Sequence, residues 1–225
     1  MSALKELSKT LNESPWPFFK QTFPVKVRQV DKGFLMINQA LKEDILEEGD
    51  CLQRRSAAKC LMTRWNMHED YESFRMIGNT AIRLANDFPL AKRSKQDGSS
   101  DPISLYIKET WGLIYNTGDS TAVHNHWPTV WRFVYYVKAC EKCAPLVFDD
   151  CPIQDPWYAP LSTQAYCVEA CDSCSPLQFP TCEEKLEIVP RTGQMILWPA
   201  WLLHEVPKHT CEHDRIMLSG NVNMK

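Results

Sequence analysis

Apolar residues recur along this chain with two different periods. A period of two, typical of half-buried strands, appears in the second half of the chain, and a period of three to four, typical of amphipathic helices, appears twice in the first half. The strand-like stretches are separated by turn signals and cover residues 103–118, 131–139, 144–150, 186–191, 193–203 and 215–223. Because no long helical pattern interrupts them, they predict a mainly β fold of the antiparallel sandwich or jelly-roll type.

The sequence of the first half of the chain predicts both strands and helices that precede the β region. Residues 23–35 are rich in β-forming residues, and residues 38–50 have apolar positions at helical spacing up to a glycine. Residues 60–65 predict another strand, and residues 68–88 predict a longer helix. The apolar stripe of that helix consists of Tyr71, Phe74, Ile77, Ala81 and Leu84. Residues 92–101 are small, charged and polar, which predicts a loop or linker.

Length and charge place limits on function. A chain of 225 residues with a formal net charge of −3 can form one elaborated domain, and its Lys and Arg residues are spread along the sequence. Neither a signal peptide nor an apolar run of roughly 18 to 20 residues, the length of a membrane helix, is present. The sequence therefore predicts a soluble cytoplasmic protein with no membrane partner, no support for a nucleic-acid partner and no indicated oligomeric state. We expect a single domain over residues 1–225, with an N-terminal elaboration (1–101), a jelly-roll core (102–225) and a Cys-rich insertion (140–182).

Two histidines lie two residues apart in the stretch HNHWP, and a third follows a later apolar strand. On a strand, His124 and His126 project from the same face, so that their imidazoles can share one metal ion. The later strand leads to His204, and Arg215 opens the next strand. An arginine in an otherwise apolar strand needs an anionic partner, because burying its charge unpaired is costly.

These residues resemble the motifs of the 2-oxoglutarate- and Fe(II)-dependent oxygenases. That family combines a first histidine motif, a second histidine in the pattern G…(L/F)xPxxLxH, and an arginine shortly beyond it. The matching stretches here are HNHWP, FVYYVK, APLVFDD and LWPAWLLHEV, and the resemblance extends over about residues 105–225. It implies a double-stranded β-helix, which is a jelly roll, with flanking α-helices. It also implies an Fe(II) cofactor, with O2 and 2-oxoglutarate as co-substrates and succinate and CO2 as products.

Carried over by position, the resemblance assigns roles to individual residues. His124 and His204 correspond to two iron ligands, and Arg215 corresponds to the residue that binds the distal carboxylate of 2-oxoglutarate. Three hydroxyl groups are candidates for an additional donor to the co-substrate: Ser219, Tyr115 and Tyr135. The prime substrate that the resemblance implies is a protein side chain or a small molecule, and the expected reaction is a hydroxylation.

The chain departs from the larger superfamily at the position of His126, where most members have aspartate. If His126 is the third ligand, the site consists of three neutral imidazoles and the iron keeps its full charge of +2, which favours a dianionic co-substrate. Alternatively, Asp149 or Asp150 completes the ligand set and His126 lies behind it. We favour His126, because strand geometry places it beside His124.

The cysteines indicate a second metal site. Cys140 and Cys143 form a CxxC pair between two predicted strands, and Cys171 and Cys174 form another within the Cys-rich insertion. Two such pairs predict a zinc knuckle, because each tight turn presents two thiolates to one tetrahedral ion. Disulfides within the insertion are the alternative, and further possible ligands are Cys151, Cys167 and Cys182. No ligand spacing is found around Cys51, Cys60 and Cys211, which are expected to be structural.

Two other functions compete with an oxygenase. One is a non-catalytic metal-binding jelly roll whose zinc knuckle contacts protein or nucleic acid, and the other is a cupin-type enzyme with three histidine ligands. Both leave Arg215 unexplained. His68 is expected near a helix start, whereas His209 and His213 are expected in a solvated turn. Core positions rather than a pocket are expected for Trp127, Trp131, Trp198 and Trp201.

Overall fold

The structure is a computed structural model that describes residues 25–29, 36–48, 53–54, 57–86, 92–94, 100–102, 104–149 and 185–225. Within these residues the chain forms two antiparallel sheets, a short two-stranded ribbon and three helices. The helices are α1 (Met36–Glu47), α2 (Met67–Asp70) and α3 (Glu72–Asn86). None of the helices in this part of the chain is long and apolar enough to cross a lipid bilayer.

The larger sheet has seven described strands, and neighbouring strands pair antiparallel. Numbered in chain order and given in their order across the sheet, they are β1 (Lys26–Gln29), β12 (Gln194–Pro199), β9 (Trp131–Lys138), β14 (Arg215–Met224), β7 (Leu105–Tyr115), β4 (Leu61–Met62) and β2 (Gln53–Arg54). The long strand β14 therefore lies between β9 and β7, which buries most of its length.

The smaller sheet has five described strands, again antiparallel. In order across the sheet they are β11 (Lys185–Ile188), β10 (Leu146–Asp149), β13 (His204–Val206), β8 (Ser120–His124) and β3 (Ala58–Lys59). Strands from the N-terminal region thus join both sheets: β1, β2 and β4 extend the larger one, and β3 extends the smaller one.

The larger sheet is apolar on both faces, because it separates two hydrophobic cores. One core is formed with the helices and the other lies toward the smaller sheet. Strand β9 shows the division, since Phe133 and Tyr135 belong to the helix-side core while Val134 and Tyr136 belong to the inter-sheet core. The alternation of side chains along a strand is the physical reason for this division.

Helix α3 covers the larger sheet with the stripe that its sequence predicts. Its buried residues include Phe74, Ile77, Ala81 and Leu84. Tyr71, the first residue of the predicted stripe, instead has extended backbone angles and separates α2 from α3. The single helix expected over residues 68–88 is therefore two helices.

The fold class is confirmed: the structure is a mainly β, double-stranded β-helix with flanking helices. Two local predictions are wrong. The stretch 92–101 is not only loop, because β5 (Lys92–Ser94) pairs with β6 (Ser100–Pro102). The strand predicted over 193–203 ends at Pro199, where the chain turns. The Cys-rich segment from residue 150 to residue 184 lies outside the described residues.

Candidate active site and metal centres

Three histidines come together at the smaller sheet. His124 is the last residue of β8, and it is paired in register with His204, the first residue of β13. The centroids of these two rings are 4.3 Å apart, and the ring of His126 lies 4.9 Å from His124 and 5.3 Å from His204. The structure thus brings together the three residues that the sequence selected.

Two premises of that selection were nevertheless wrong. His126 does not lie on a strand, because β8 ends at His124. It follows in a turn, where its backbone N–H donates to the carbonyl of Ala200 at 2.8 Å. His204 is not the end of the strand that contains Trp198 either, since that strand ends at Pro199 in the other sheet.

Backbone carbonyls hold the rings of two of these histidines in a fixed orientation. Nδ1–H of His124 donates to the carbonyl of Ala122 at 2.8 Å, and Nδ1–H of His204 donates to the carbonyl of Leu202 at 2.9 Å. This leaves Nε2 of each ring with a lone pair for a metal ion. Nε2 of His126 lies 3.1 Å from Nε2 of His124, and the ligand atoms of all three rings lie within 4.8 Å of one another.

This donor set fits Fe(II). Three nitrogen ligands on one face of an octahedral ion, with bonds of about 2.1 Å at right angles, would lie about 3.0 Å apart. The distance of 3.1 Å between the two Nε2 atoms agrees with that spacing. The side chains of Asp149 and Asp150, the alternative ligands, lie outside the part of the chain whose side chains the structure describes.

The three imidazoles are kept neutral by their surroundings. Burial lowers the pKa of His124 to about 4. Burial also lowers the pKa of His126 and of His204 well below the usual value, and the positive charge of Arg132 contributes in each case. Neutral imidazole is the form that binds a metal ion, so none of these groups has to lose a proton first.

The histidines line a cavity of about 340 Å³ between the two sheets. Its wall is largely apolar and aromatic, and it includes Trp65, Trp111 and Trp198. Trp198 was expected in the core and does pack there, yet it also faces the cavity. Trp65 and Trp111, whose rings are 4.3 Å apart, were not selected from the sequence.

Arg132 is a cavity residue that the sequence analysis missed. It lies on β9 with only 4% of its surface exposed, and its guanidinium carbon is 4.3 Å from the ring centroid of Trp111. Its Nε and Nη1 atoms have no hydrogen-bond partner among the described residues. Burial lowers its pKa to about 9, so it remains charged at neutral pH. The argument applied to Arg215, a cation within an apolar strand, would have found it in WRFVYYVK.

Arg215 is the second fully buried cation of the inter-sheet region. Its guanidinium carbon lies 4.0 Å from the ring centroid of Tyr115, which itself lines the cavity. Nη1 donates to the carbonyl of Ala144 at 2.6 Å, whereas Nε and Nη2 have no partner among the described residues. Arg215 therefore packs against Tyr115, and two of its donor groups have no partner among the residues that the structure describes.

The three candidate hydroxyl donors are divided between the two faces of the larger sheet. Ser219 and Tyr115 line the cavity, and the Ser219 hydroxyl has no partner within the described structure. The Tyr115 hydroxyl is hydrogen-bonded to Thr121. Tyr135 lies on the opposite face and donates to Oδ1 of Asn38 at 2.7 Å, because side chains alternate along β9. The expectation that Tyr135 faces the co-substrate is not met.

The CxxC pair lies in the turn between β9 and β10, beside the turn between β13 and β14. Sγ of Cys140 is 3.6 Å from Sγ of Cys143 and 3.5 Å from Sγ of Cys211. No disulfide joins the described cysteines. Cys171 and Cys174, the other predicted ligands, lie outside the described residues.

One of the two histidines of the second turn, His209, differs from its expected exposure. His209 is fully buried, so the prediction of a solvated side chain is wrong for it. Its backbone and ring tie the turn to neighbouring segments, which explains its burial. His213 is exposed as expected, but its Nδ1 lies 3.5 Å from Sγ of Cys211.

Residues 109–221 match the family model described as "Putative 2OG-Fe(II) oxygenase". No curated protein sequence matches the chain. Solved structures with a similar fold include a prolyl-4-hydroxylase from Pseudomonas putida, with a TM-score of 0.57, 11% identity, and coverage of 91% of this chain and 94% of that one.

Two further similar structures hold ligands. HygX from Streptomyces hygroscopicus, with nickel and 2-oxoglutarate bound, has a TM-score of 0.56 and 13% identity, covering 90% of this chain and 83% of that one. A prolyl hydroxylase from Trichoplax adhaerens, in complex with a peptide fragment of hypoxia inducible factor, has a TM-score of 0.58 and 10% identity. The match covers 90% of this chain and 84% of that one. At these identities the similarity establishes the fold.

Proposed function

The chain belongs to the 2-oxoglutarate- and Fe(II)-dependent oxygenases, and on that premise we propose that it hydroxylates a substrate bound in the cavity between its two sheets. Fe(II) and 2-oxoglutarate are the cofactor and co-substrate expected of this family, with O2 as the second co-substrate. The observation that carries the proposal is the convergence of three neutral imidazoles on one point of a cavity whose wall contains Arg132, a buried cation with two nitrogens that lack a hydrogen-bond partner among the described residues.

We assign His124, His126 and His204 as the iron ligands. When bound to three protein ligands on one face, Fe(II) has three further positions, two for a keto acid and one for O2. The carbonyls of Ala122 and Leu202 keep the donor atoms of two ligands turned inward. Hydrogen bonds of this kind orient metal-binding imidazoles and limit the reorganisation that binding requires.

The charge of the site favours a dianion. Three imidazoles add no negative charge to the +2 of the metal ion, and Arg132 and Arg215 add two positive charges within buried surroundings. No carboxylate is among the described residues that line the cavity. A buried, uncompensated positive charge is costly, and a bound 2-oxoglutarate would offset that cost.

Arg215 is proposed to bind the distal carboxylate of 2-oxoglutarate. Its Nε and Nη2 groups, which have no partner within the described part of the chain, can form the paired hydrogen bonds that an arginine makes with a carboxylate. Ser219 lies four residues along the same strand, and its hydroxyl, which has no partner among the described residues, faces the cavity. We propose Ser219 as a further donor, and Tyr115, whose ring packs against the guanidinium of Arg215, as the residue that holds this guanidinium in place.

Arg132 is proposed to orient the second anionic group of the site, either the carboxylate of 2-oxoglutarate nearest the metal or an acidic group of the prime substrate. It is the arginine that lines the cavity together with the histidines. The aromatic rings of Trp65 and Trp111 then provide an apolar surface for the rest of the substrate, which is a protein side chain or a small molecule.

The test is turnover of 2-oxoglutarate by the purified protein with Fe(II), ascorbate and O2. Succinate is expected to form slowly without any prime substrate, and His204→Ala should abolish its formation. His68→Ala is the matched control, because His68 contacts Thr110 and is not among the described residues that line the cavity. Succinate formation that survives His204→Ala would refute the ligand assignment.

A second metal ion, zinc, is proposed for the cysteines. Thiolates suit zinc, whereas imidazoles with open positions suit iron, so the two kinds of donor indicate separate sites.

A further inference from the structure

Two turns that are distant in sequence bring four metal-binding side chains together. The turn after β9 contributes Cys140 and Cys143, and the turn before β14 contributes Cys211 and His213. We call these four residues the thiol cluster. The two pairs are separated by about seventy residues, so no short spacing in the sequence identifies them as one group.

Three distances within the thiol cluster match those between neighbouring ligands of a tetrahedral zinc site. Bonds of about 2.3 Å to sulfur and 2.0 Å to nitrogen place neighbouring sulfur atoms about 3.8 Å apart, and sulfur and nitrogen about 3.5 Å apart. The observed Sγ to Sγ distances are 3.6 Å for Cys140 to Cys143 and 3.5 Å for Cys140 to Cys211. Sγ of Cys211 lies 3.5 Å from Nδ1 of His213.

Backbone N–H groups already point at two of the sulfur atoms. The N–H of Cys140 donates to Sγ of Cys143, and the N–H of His213 donates to Sγ of Cys211, each at 3.4 Å. Hydrogen bonds of this kind orient the side chains that bind a metal ion. Cys143 and Cys211 are buried, so thiolates at these positions need a cation beside them.

His209 is close to the same sulfur atoms, but its ring nitrogens are both engaged. Nδ1 accepts a hydrogen bond from the N–H of Ala144 at 3.3 Å, and Nε2–H donates to the carbonyl of His213 at 2.9 Å. His209 thus joins the two turns and holds the backbone of His213 in place. The side chain of His213, whose Nδ1 faces Cys211, is the nitrogen donor that remains.

We propose that Cys140, Cys143, Cys211 and His213 bind one structural zinc ion. Four protein ligands fill a tetrahedral zinc site, so it has no open position for a substrate. This donor set shares its first pair with the knuckle predicted from sequence and replaces Cys171 and Cys174. The zinc ion joins the end of β9 to the start of β14, the two strands that carry Arg132 and Arg215.

The zinc content of full-length protein purified under reducing conditions tests this donor set. His204→Ala serves as the background for every variant, because it removes a ligand from the histidine site, which could otherwise take up zinc. We expect about one zinc ion per chain in this background. Adding Cys211→Ser should lower the content to less than half, and adding Cys171→Ser with Cys174→Ser should leave it unchanged.

A second measurement covers the case in which Cys211→Ser prevents folding. His213 is exposed, so His213→Ala should fold, and it should release zinc to a chelator at least about 10-fold faster than the background. His213→Cys, which restores a zinc ligand, should return release toward the original rate. Unchanged release from His213→Ala, or loss of zinc from the Cys171→Ser, Cys174→Ser protein, would overturn the proposed set. Because the readout is zinc, it is independent of whether the protein oxidises 2-oxoglutarate.

Discussion

The backbone of Ala144 links Arg215 to the thiol cluster. Its carbonyl accepts a hydrogen bond from Nη1 of Arg215 at 2.6 Å, and its N–H donates to Nδ1 of His209 at 3.3 Å. Ala144 directly follows Cys143, so a zinc ion bound by that cysteine would fix the position of the carbonyl. The orientation of a buried arginine thereby depends on a turn outside the cavity.

Removal of zinc is therefore expected to weaken co-substrate binding. In His213→Ala, the Kd for 2-oxoglutarate should rise about 10-fold, because the hydrogen bond that orients a charged group is loosened, a loss of about 1.4 kcal/mol. The affinity of the histidine site for Mn(II) should not change. Calorimetric titration of both ligands distinguishes this outcome from general unfolding, which would weaken both.

Replacement of Arg215 tests its role directly. Arg215→Leu should weaken 2-oxoglutarate binding by about 2 to 5 kcal/mol, since a desolvated carboxylate loses a paired charged donor. The affinity of Arg215→Lys for 2-oxoglutarate should lie between those of wild type and Arg215→Leu, because lysine keeps the charge but cannot form the paired hydrogen bonds. Calorimetry in the presence of Mn(II) measures both. Equal affinities for wild type and Arg215→Leu would show that the carboxylate binds elsewhere.

Replacement of Arg132 should have opposite effects on the free and the bound protein. Its guanidinium is buried, and two of its nitrogens have no hydrogen-bond partner in the described part of the structure, so Arg132→Met is expected to raise the free energy of unfolding of the ligand-free protein by about 1 to 3 kcal/mol. The extra stability that saturating 2-oxoglutarate confers on wild type should shrink in this variant. Urea unfolding with and without 2-oxoglutarate measures both quantities.

Arg191→Met is the control for this comparison, because Arg191 is exposed and its ion pair with Glu141 is long at 3.6 Å. It should change the free energy of unfolding by no more than about 0.5 kcal/mol. A ligand-free Arg132→Met protein that is less stable than wild type would contradict the expectation that this guanidinium destabilises the unliganded fold.

The strands and the ligand histidines could be read from the sequence because their signals are local. The alternation of apolar and polar residues predicted β7, β9 and β14, and apolar residues at helical spacing predicted the buried stripe of α3. Contacts set by turns could not be read in this way. His126 reaches its neighbours from a turn after β8, and His204 reaches them because the chain turns after Pro199 and enters the other sheet.

The thiol cluster is a second set of contacts that local sequence patterns could not predict. Cys211 has no cysteine near it in sequence, and it was expected to be structural for that reason. Its contact with Cys140 depends on the pairing of β9 with β14, which only the folded sheet defines. Arg132, by contrast, could have been found, since a charged residue within an apolar strand is a local signal.

The replacement His126→Asp tests the charge argument for the iron site. Aspartate is the residue that most of the superfamily has here, so the variant should still bind Mn(II). Its carboxylate would reduce the net charge of the bound metal by one, and 2-oxoglutarate affinity is expected to fall about 10-fold. His126→Ala should instead weaken Mn(II) itself by about 10- to 100-fold.

Asn125→Ala provides the control for both changes, because Asn125 lies between the two histidines and its Oδ1 faces the N–H of Trp127. Its affinities for Mn(II) and 2-oxoglutarate should equal those of wild type. If His126→Ala binds Mn(II) as tightly as Asn125→Ala does, the third ligand is another residue, and Asp149 and Asp150 become the next to replace.

Close packing at the centre of the larger sheet predicts a sharp difference between two glycines. A Cβ atom at Gly220 would lie 2.5 Å from Cζ of Phe133 and 2.9 Å from the carbonyl oxygen of Glu109, and a backbone atom cannot move aside cheaply. Gly220→Ala should therefore lower the free energy of unfolding by about 1 to 3 kcal/mol.

A Cβ at Gly78, in α3, would meet only the flexible side chain of Ile107, and alanine stabilises a helix interior by about 1 kcal/mol relative to glycine. Gly78→Ala should accordingly change stability much less. The midpoints of urea unfolding compare the stability of the two variants, provided that the slope of the unfolding free energy against urea concentration is unchanged. Equal losses of stability in the two variants would show that β14 can shift away from β7 and β9.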